Sequence, residues 1–361
     1  MRVRLRYDGR RRMEKSAMRG IALRMGLAVS ALLLAVPQAG AFESDQFLAL
    51  DIPIADSAAV IDAYVNSEIV EVLDTLSRRR PRIACEAIPP RIYRHLFSNL
   101  LSSRFKKFLE ESPEVERFPG DDVGYWQYLG SSIYRKPLFP YILPMSSTLD
   151  VGGVRLGVDK FGHMMGEGRR YYARYRRALR RGLSEEQAMR KVVLGGLQWE
   201  KILLGGLSDG VLSFADLEAN YQGLRLARAM CEGPDPHLAK GPRGWHLARP
   251  VRFEDYVGPS FDESYNANRY PRGRWKRVRP ILLAEHCSKL DLPVVRRRLE
   301  RYRASDDFSF SRRVLAEHLQ HKKLSPNEHS FEKLCREASG REATAGDVVL
   351  TVSANGSGAL Q

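Results

Sequence analysis

The chain is poor in cysteine: 361 residues hold four, and no two of them form a C-x-x-C pair. A zinc ribbon or a thioredoxin-type redox centre therefore has no ligand pattern to build on. No H-E-x-x-H helix and no glycine-rich phosphate loop is present either, which removes the commonest metalloprotease and nucleotide-binding signatures. No internal repeat is found. Long apolar runs are also missing. Gly26 to Val36 gives eleven small and apolar residues, against about 20 for a membrane-crossing helix.

What that short run does carry is its setting. Arg19 and Arg24 precede it and Ala39-Gly40-Ala41 closes it, the order of a cleaved secretory signal with small residues at −3 and −1. The expected mature chain starts after Ala41 and lies in the periplasm or outside the cell, with no transmembrane helix. The arginine-rich stretch before Ala17 reads as a long basic n-region, or, given Met13, Met18 and Met25, as a sign of a later start.

Net charge changes once 1–41 is set aside. The whole chain has 58 Lys/Arg and 43 Asp/Glu; 1–41 holds nine and two of these, leaving 49 and 41, a net charge of about +8. A mildly basic exported protein suits anionic envelope components, namely lipid headgroups, lipopolysaccharide or wall polymers. A solvated surface with no dedicated partner fits equally, and nucleic acid is excluded as a partner by the compartment.

Cys85, Cys231, Cys287 and Cys335 all fall in the mature part. An even count in an oxidising compartment points to two disulfides. Of three connectivities we prefer Cys85–Cys231 with Cys287–Cys335, which staples two helical regions separately.

Periodicity is helical nearly throughout, so the expected fold is mainly α: a multi-helix single domain of seven to nine helices with long loops, one small β-hairpin and a C-terminal helical extension. Expected boundaries are 42–235 for the helical core, 236–275 for a wrapping loop, 276–338 for the C-terminal helices and 339–361 for a disordered tail. One helix runs from Ser57 to Leu76 and another from Pro90 to Pro113, with His95 at the edge of its apolar face. Residues 117–147 read as a loop dense in aromatics (Tyr125, Trp126, Tyr128, Tyr134, Phe139, Tyr141), which fill core gaps or stack on sugars. A hairpin turning on Gly152-Gly153 follows, then helices over 159–181, 184–205 and 213–233, two of them opening on capping boxes at Ser184 and Ser213.

Those three helices bring a polar constellation together. His163 and Glu167 are one turn apart; Glu200 lies near the end of the next helix and Asp209 in the Ser-Asp-Gly turn that follows it; Asn220 interrupts the apolar face of the third, and Gly223 leaves room for a close crossing. The bland reading is a buried cluster that fixes helix register, with His163 oriented by Asp216 or Asn220 and Asp159 as an N-cap. Two sharper readings compete with it. One is a divalent metal held by His163, Glu167 and an acid of Glu200 or Asp209; the other is a general acid/base pair of Glu200 and Asp209.

The elements Asp159-Lys160-x-x-His163, then Glu200, Asp209, and Ser213-x-x-Asp216-Leu217-x-Ala219-Asn220-x-x-Gly223, resemble the VanZ-like motif pattern and the small envelope lipoproteins of the YfiM type. The likeness covers about residues 155–230. It implies a role in the cell envelope and matches Asp159, Lys160, His163, Glu200, Asp209, Ser213, Asp216, Asn220 and Gly223. Those families set the motif in apolar membrane helices, whereas here it runs into Arg169-Arg170-Tyr171-Tyr172-Ala173-Arg174-Tyr175-Arg176-Arg177, which cannot lie in hydrocarbon. The resulting expectation is an exported envelope protein with a structural or small-ligand cluster and no recognised enzyme activity. The rival is a metal-assisted or acid/base hydrolase acting on wall glycans or lipid-linked substrates.

Overall fold

A computed structural model describes residues 43–98, 103–136, 145–200, 211–325 and 328–340, and the first element among them is a two-residue strand, β1 (Glu43–Ser44). The expected signal (1–41), Phe139, Tyr141, Asp209 and 341–361 of the expected tail lie outside the described residues.

Helix α1 (Ala58–Arg79) starts where the Asp56 carboxylate accepts from the Ala58 amide at 2.9 Å. Ile61, Val65, Ile69, Val72 and Leu76 form its buried stripe, and Arg78 and Arg79 complement the negative C-terminal end of the dipole. The single helix expected from Pro90 to Pro113 is two: α2 (Pro89–Leu96) and α3 (Arg104–Glu111). Serine-rich sequence explains the break, because Ser103 caps α3 by accepting from the Lys106 amide at 2.9 Å. His95 is half-buried, and its Nε2 donates to the Glu68 carboxylate at 2.6 Å. The expected aromatic loop contains a helix, α4 (Tyr125–Ser131), with Tyr128 and Tyr134 buried in the core.

Strand β1 pairs in parallel with β2 (Met145–Ser146), and the expected hairpin is present as β3 (Thr148–Val151) and β4 (Val154–Gly157). Gly152 and Gly153 both have positive φ, +61° and +79°, as a two-residue turn with right-handed twist requires. Both strands are buried along their length, so the hairpin is core rather than edge.

Next come α5 (Val158–Gly162), a π-turn at His163–Glu167, and α6 (Gly168–Leu179), a continuous helical run that ends at Gly182 (φ +82°). Helix α7 (Glu185–Trp199) opens on a complete Ser184–Gln187 capping box. Helix α8 (Phe214–Ala229) is the centre of the molecule and is buried on nearly every side. Hence its weak amphipathic pattern, since a central helix has no solvent face to mark.

The expected wrapping loop also holds structure, a second hairpin of β5 (Leu238–Gly241) and β6 (Gly244–Leu247). The described residues thus carry three two-stranded sheets rather than one hairpin. Helices α9 (Arg272–Ile281), α10 (Pro293–Ser305), α11 (Phe310–His321) and α12 (Phe331–Ala338) complete more, and shorter, helices than expected. They pack on the core within one unit spanning Gly40–Gln361. Ser309 and Ser311 donate to the buried Glu218 on α8 at 2.7 and 2.9 Å, and Arg190 on α7 pairs with Glu317. Disulfides join Cys85 to Cys231 and Cys287 to Cys335, with Cα atoms 5.8 and 5.3 Å apart. No helix among the described residues is long and apolar enough to cross a membrane.

Candidate functional site

The hairpin delivers its last residue, Gly157, directly into α5, and this turn builds one wall of the site. A Cβ on Gly157 would lie 2.0 Å from both the Asp159 carboxylate and the Ser44 hydroxyl, so only glycine lets the chain bend there. Asp159 therefore does not cap α5, the role expected of it. Gly157 holds that position, and Asp159 accepts from Ser44 Oγ at 2.5 Å.

Lys160 is the centre. Its side chain is 0% exposed, and its ammonium lies 2.5 Å from Asp159 Oδ2, 2.7 Å from Asp216 Oδ1 and 2.6 Å from Glu263 Oε1. Three carboxylates from α5, α8 and the 259–269 segment thus converge on one cation. Each spends its other contacts inside the cluster. Asp216 Oδ2 faces His163 Nε2 at 3.2 Å, and Glu263 accepts from Ser213 Oγ at 2.9 Å and from Asn268 Nδ2 at 2.7 Å. All six carboxylate oxygens are engaged.

His163 extends the network, its Nδ1 lying 3.2 Å from Asn220 Oδ1, so both Asp216 and Asn220 hold the ring. Tyr171, fully buried on α6, adds its hydroxyl beside Asn220. Ser213 caps α8 by accepting from the Asp216 amide at 3.1 Å, but the capping box is only half formed because the Asp216 side chain turns to Lys160 and His163 instead.

The electrostatics follow from burying three acids with so few cations. Burial pushes the Glu263 carboxyl up; Lys160 opposes this, while Asp216 and Asp159 add to it. Burial would raise Asp216 as well, yet the charges of His163 and Lys160 more than reverse it and hold that carboxyl below its ordinary range. Burial by itself would lower Lys160, but Asp159, Asp216, Glu263 and Glu43 together drive it far above the ordinary lysine value.

Of the residues expected to meet, Asp159, Lys160, His163, Ser213, Asp216 and Asn220 do so. Glu167 does not: its carboxylate takes Arg170 as partner, so the expected His163/Glu167 metal pair is not assembled. Asp159, His163 and Asp216 lie close enough together to chelate an ion, but the Lys160 ammonium already sits between the two acids. Glu200 is buried at the end of α7, and its expected partner Asp209 lies outside the described residues.

Glu263, Asn268 and Ser44 are the members that periodicity misses, since they come from irregular segments. A buried lysine needs acids around it, so Lys160, once known to be buried, is the signal that could have pointed to further carboxylates. A further pattern passed over in the sequence is Gly206-Leu207-Ser208-Asp209-Gly210, which spells G-x-S-x-G. It too lies outside the described residues.

Of the expected sugar-gripping aromatics, Tyr128 and Tyr134 are core, Trp126 is 69% exposed with Tyr125 beside it at 5.0 Å between ring centroids, and Phe139 and Tyr141 lie outside the described residues. A surface cleft over the C-terminal disulfide, lined by Cys287, Arg296, Glu300, Arg303, Glu332 and Arg336, includes no member of the Lys160 cluster. No protein-family model matches this chain, and no curated protein or solved structure matches it either.

Proposed function

We propose that the chain is an exported envelope protein without a hydrolytic centre, in which the Lys160 cluster is a structural node rather than a reaction site. One observation carries this reading: every oxygen of Asp159, Asp216 and Glu263 is already taken by Lys160, Ser44, His163, Ser213 or Asn268. A general acid or base needs an oxygen or nitrogen it can turn toward a substrate, and this cluster has spent its own. Its members come from segments far apart in sequence, so closing it fixes the whole helical core in register.

The VanZ-like resemblance gains a physical meaning on this reading. The residues that carry it supply the ion cluster (Asp159, Lys160, His163, Ser213, Asp216, Asn220) and the close crossing at Gly223. We take the motif as the recipe for a lysine-centred helix junction, usable in a membrane or outside one. Two disulfides and the signal-like start support export. Export is tested by osmotic-shock fractionation with thiol alkylation. Both disulfides intact in the shock fluid support it; reduced protein in the cytosol overturns it. For the node, Lys160→Met is the informative variant, because Lys160 is the cation that all three acids share, and a folded, stable Lys160→Met protein would refute the structural reading.

A further inference from the structure

The end of α1 meets the β5–β6 hairpin in an unusually tight contact. A Cβ on Gly244 would lie 2.4 Å from Ser77 Oγ, the Trp245 amide donates to Ser77 Oγ at 3.1 Å, and the Trp245 indole donates to the Ile83 carbonyl at 3.0 Å. The chain approaching this contact carries Arg78, Arg79, Arg80 and Arg82; the hairpin carries Lys240 and Arg243. All six are exposed, and none has an ion-pair partner among the described residues. Exposed arginines without an ion pair also occur elsewhere among the described residues, as at Arg177, Arg180, Arg181, Arg296 and Arg297, so what sets this face apart is the disulfide joining its two segments and the tryptophan beside Lys240.

The two basic segments are also bolted together. Cys85, three residues past Arg82, is joined to Cys231, which leads into β5. The Lys240 ammonium lies 5.9 Å from the half-buried Trp245 ring, placing an amphipathic aromatic on the basic hairpin. Arg78 and Arg79 have a local explanation at the helix C-terminus. Arg80, Arg82, Lys240 and Arg243 have none, and Asp74, one turn before Arg78, is the acid nearest along α1.

We infer that Arg78, Arg79, Arg80, Arg82, Lys240 and Arg243, around Trp245, form a disulfide-braced face that docks the protein onto an anionic membrane surface. Exposed guanidinium and ammonium groups on two disulfide-joined segments, with a tryptophan beside one of them, match the headgroup layer, where basic residues meet phosphate and the indole sits at the interface. No described helix crosses a bilayer, so docking is peripheral. The inference rests on the export reading, which brings this face to the envelope rather than to nucleic acid.

The test is cosedimentation of the oxidised protein with phosphatidylcholine vesicles, with and without phosphatidylglycerol, in buffers of rising salt. The expected result is binding only to the anionic vesicles, reduced at least about tenfold by Arg79→Glu/Arg82→Glu/Arg243→Glu. The equal-charge control Lys276→Glu/Arg297→Glu/Lys322→Glu, made at other exposed positions without ion pairs, should retain binding. Matched melting temperatures show that both triple variants are folded, and the milder Arg82→Gln/Arg243→Gln pair serves if the first is not. Equal loss in both triple variants, no binding to anionic vesicles, or tighter binding to duplex DNA at matched phosphate would each overturn the inference. Fractionation keeps the two readings apart: a periplasmic protein that ignores vesicles ends the docking inference alone, and a cytosolic one ends the export reading.

Discussion

Gly168 on α6 and Gly223 on α8 face each other so closely that a Cβ on Gly168 would lie 2.7 Å from the Gly223 Cα. A Cβ on Gly223 would meet the Met164 carbonyl oxygen at 2.0 Å, and backbone cannot step aside as a side-chain tip can. The wide π-turn at His163–Glu167 lies at this crossing, one turn from Asn220 and its contact with His163. Gly223→Ala should therefore separate the two helices and stretch the His163–Asn220 bond. Overpacking of this kind costs about 1–3 kcal/mol, more when backbone is the obstacle. Thermal unfolding checks it, and an unchanged melting temperature would show that the crossing is looser than the structure has it.

His163→Ala leaves Asp216 Oδ2 and the Asn220 amide buried without this partner, an expected cost of about 1–3 kcal/mol. Because Lys160 sits between Asp159 and Asp216, added zinc should leave the melting temperature of the unsubstituted protein where it was. A zinc-dependent rise that His163→Ala abolishes would reveal a metal site in place of the ion cluster.

The cluster makes stability depend on pH in two opposite ways. Asp216 is depressed in the folded state, so its stabilisation is present above the ordinary value of 3.8 and fades as pH falls through the lower folded value. Glu263 is raised, so its contribution is full below 4.5 and fades as pH rises through the raised value. Glu263→Gln should accordingly flatten the decline in stability on the alkaline side of 4.5 and leave the acid limb in place. Denaturant midpoints measured across pH 2 to 8 read this directly, and a parallel shift of the entire curve would contradict it.

Neither disulfide should leave a free thiol in the exported protein, so titration in denaturant should find none. The Cys85–Cys231 bond closes a separation of 146 residues and Cys287–Cys335 one of 48. Chain entropy gives about 5 and about 4 kcal/mol respectively, so replacing the first pair by serine should lower stability more than replacing the second. The reverse order, measured by denaturant unfolding, would mean that local strain or residual unfolded-state structure dominates.

The sequence was most legible where one physical signal acted alone. Ser184 with Gln187 announced α7, Gly152-Gly153 announced the first hairpin, and Gly223 announced a close crossing; all three appear as read. It was misleading where signals were shared. Asp216 has the position of a capping-box acid, but a buried lysine outcompeted the backbone amide for it. His163 and Glu167 have metal-ligand spacing, but Arg170 took Glu167. Least legible were partners from irregular chain. Glu263 and Ser44 belong to segments with no periodicity, and only the fold brings them to Lys160 and Asp159. A central helix such as α8 hides its own importance, because burial on all sides erases the amphipathic pattern that reveals outer helices.

The most direct test of the structural node is the equilibrium unfolding of Lys160→Met. Methionine matches the stem of lysine but removes the one cation that Asp159, Asp216 and Glu263 share. Breaking a buried ion cluster from one side costs about 3–5 kcal/mol, and adding Glu263→Gln should return part of that loss by deleting one stranded charge. The single variant should be strongly destabilised or unfolded, and the double variant partly rescued. A Lys160→Met protein as stable as the original would contradict it, and would mean that these buried acids are held for some purpose other than holding the fold.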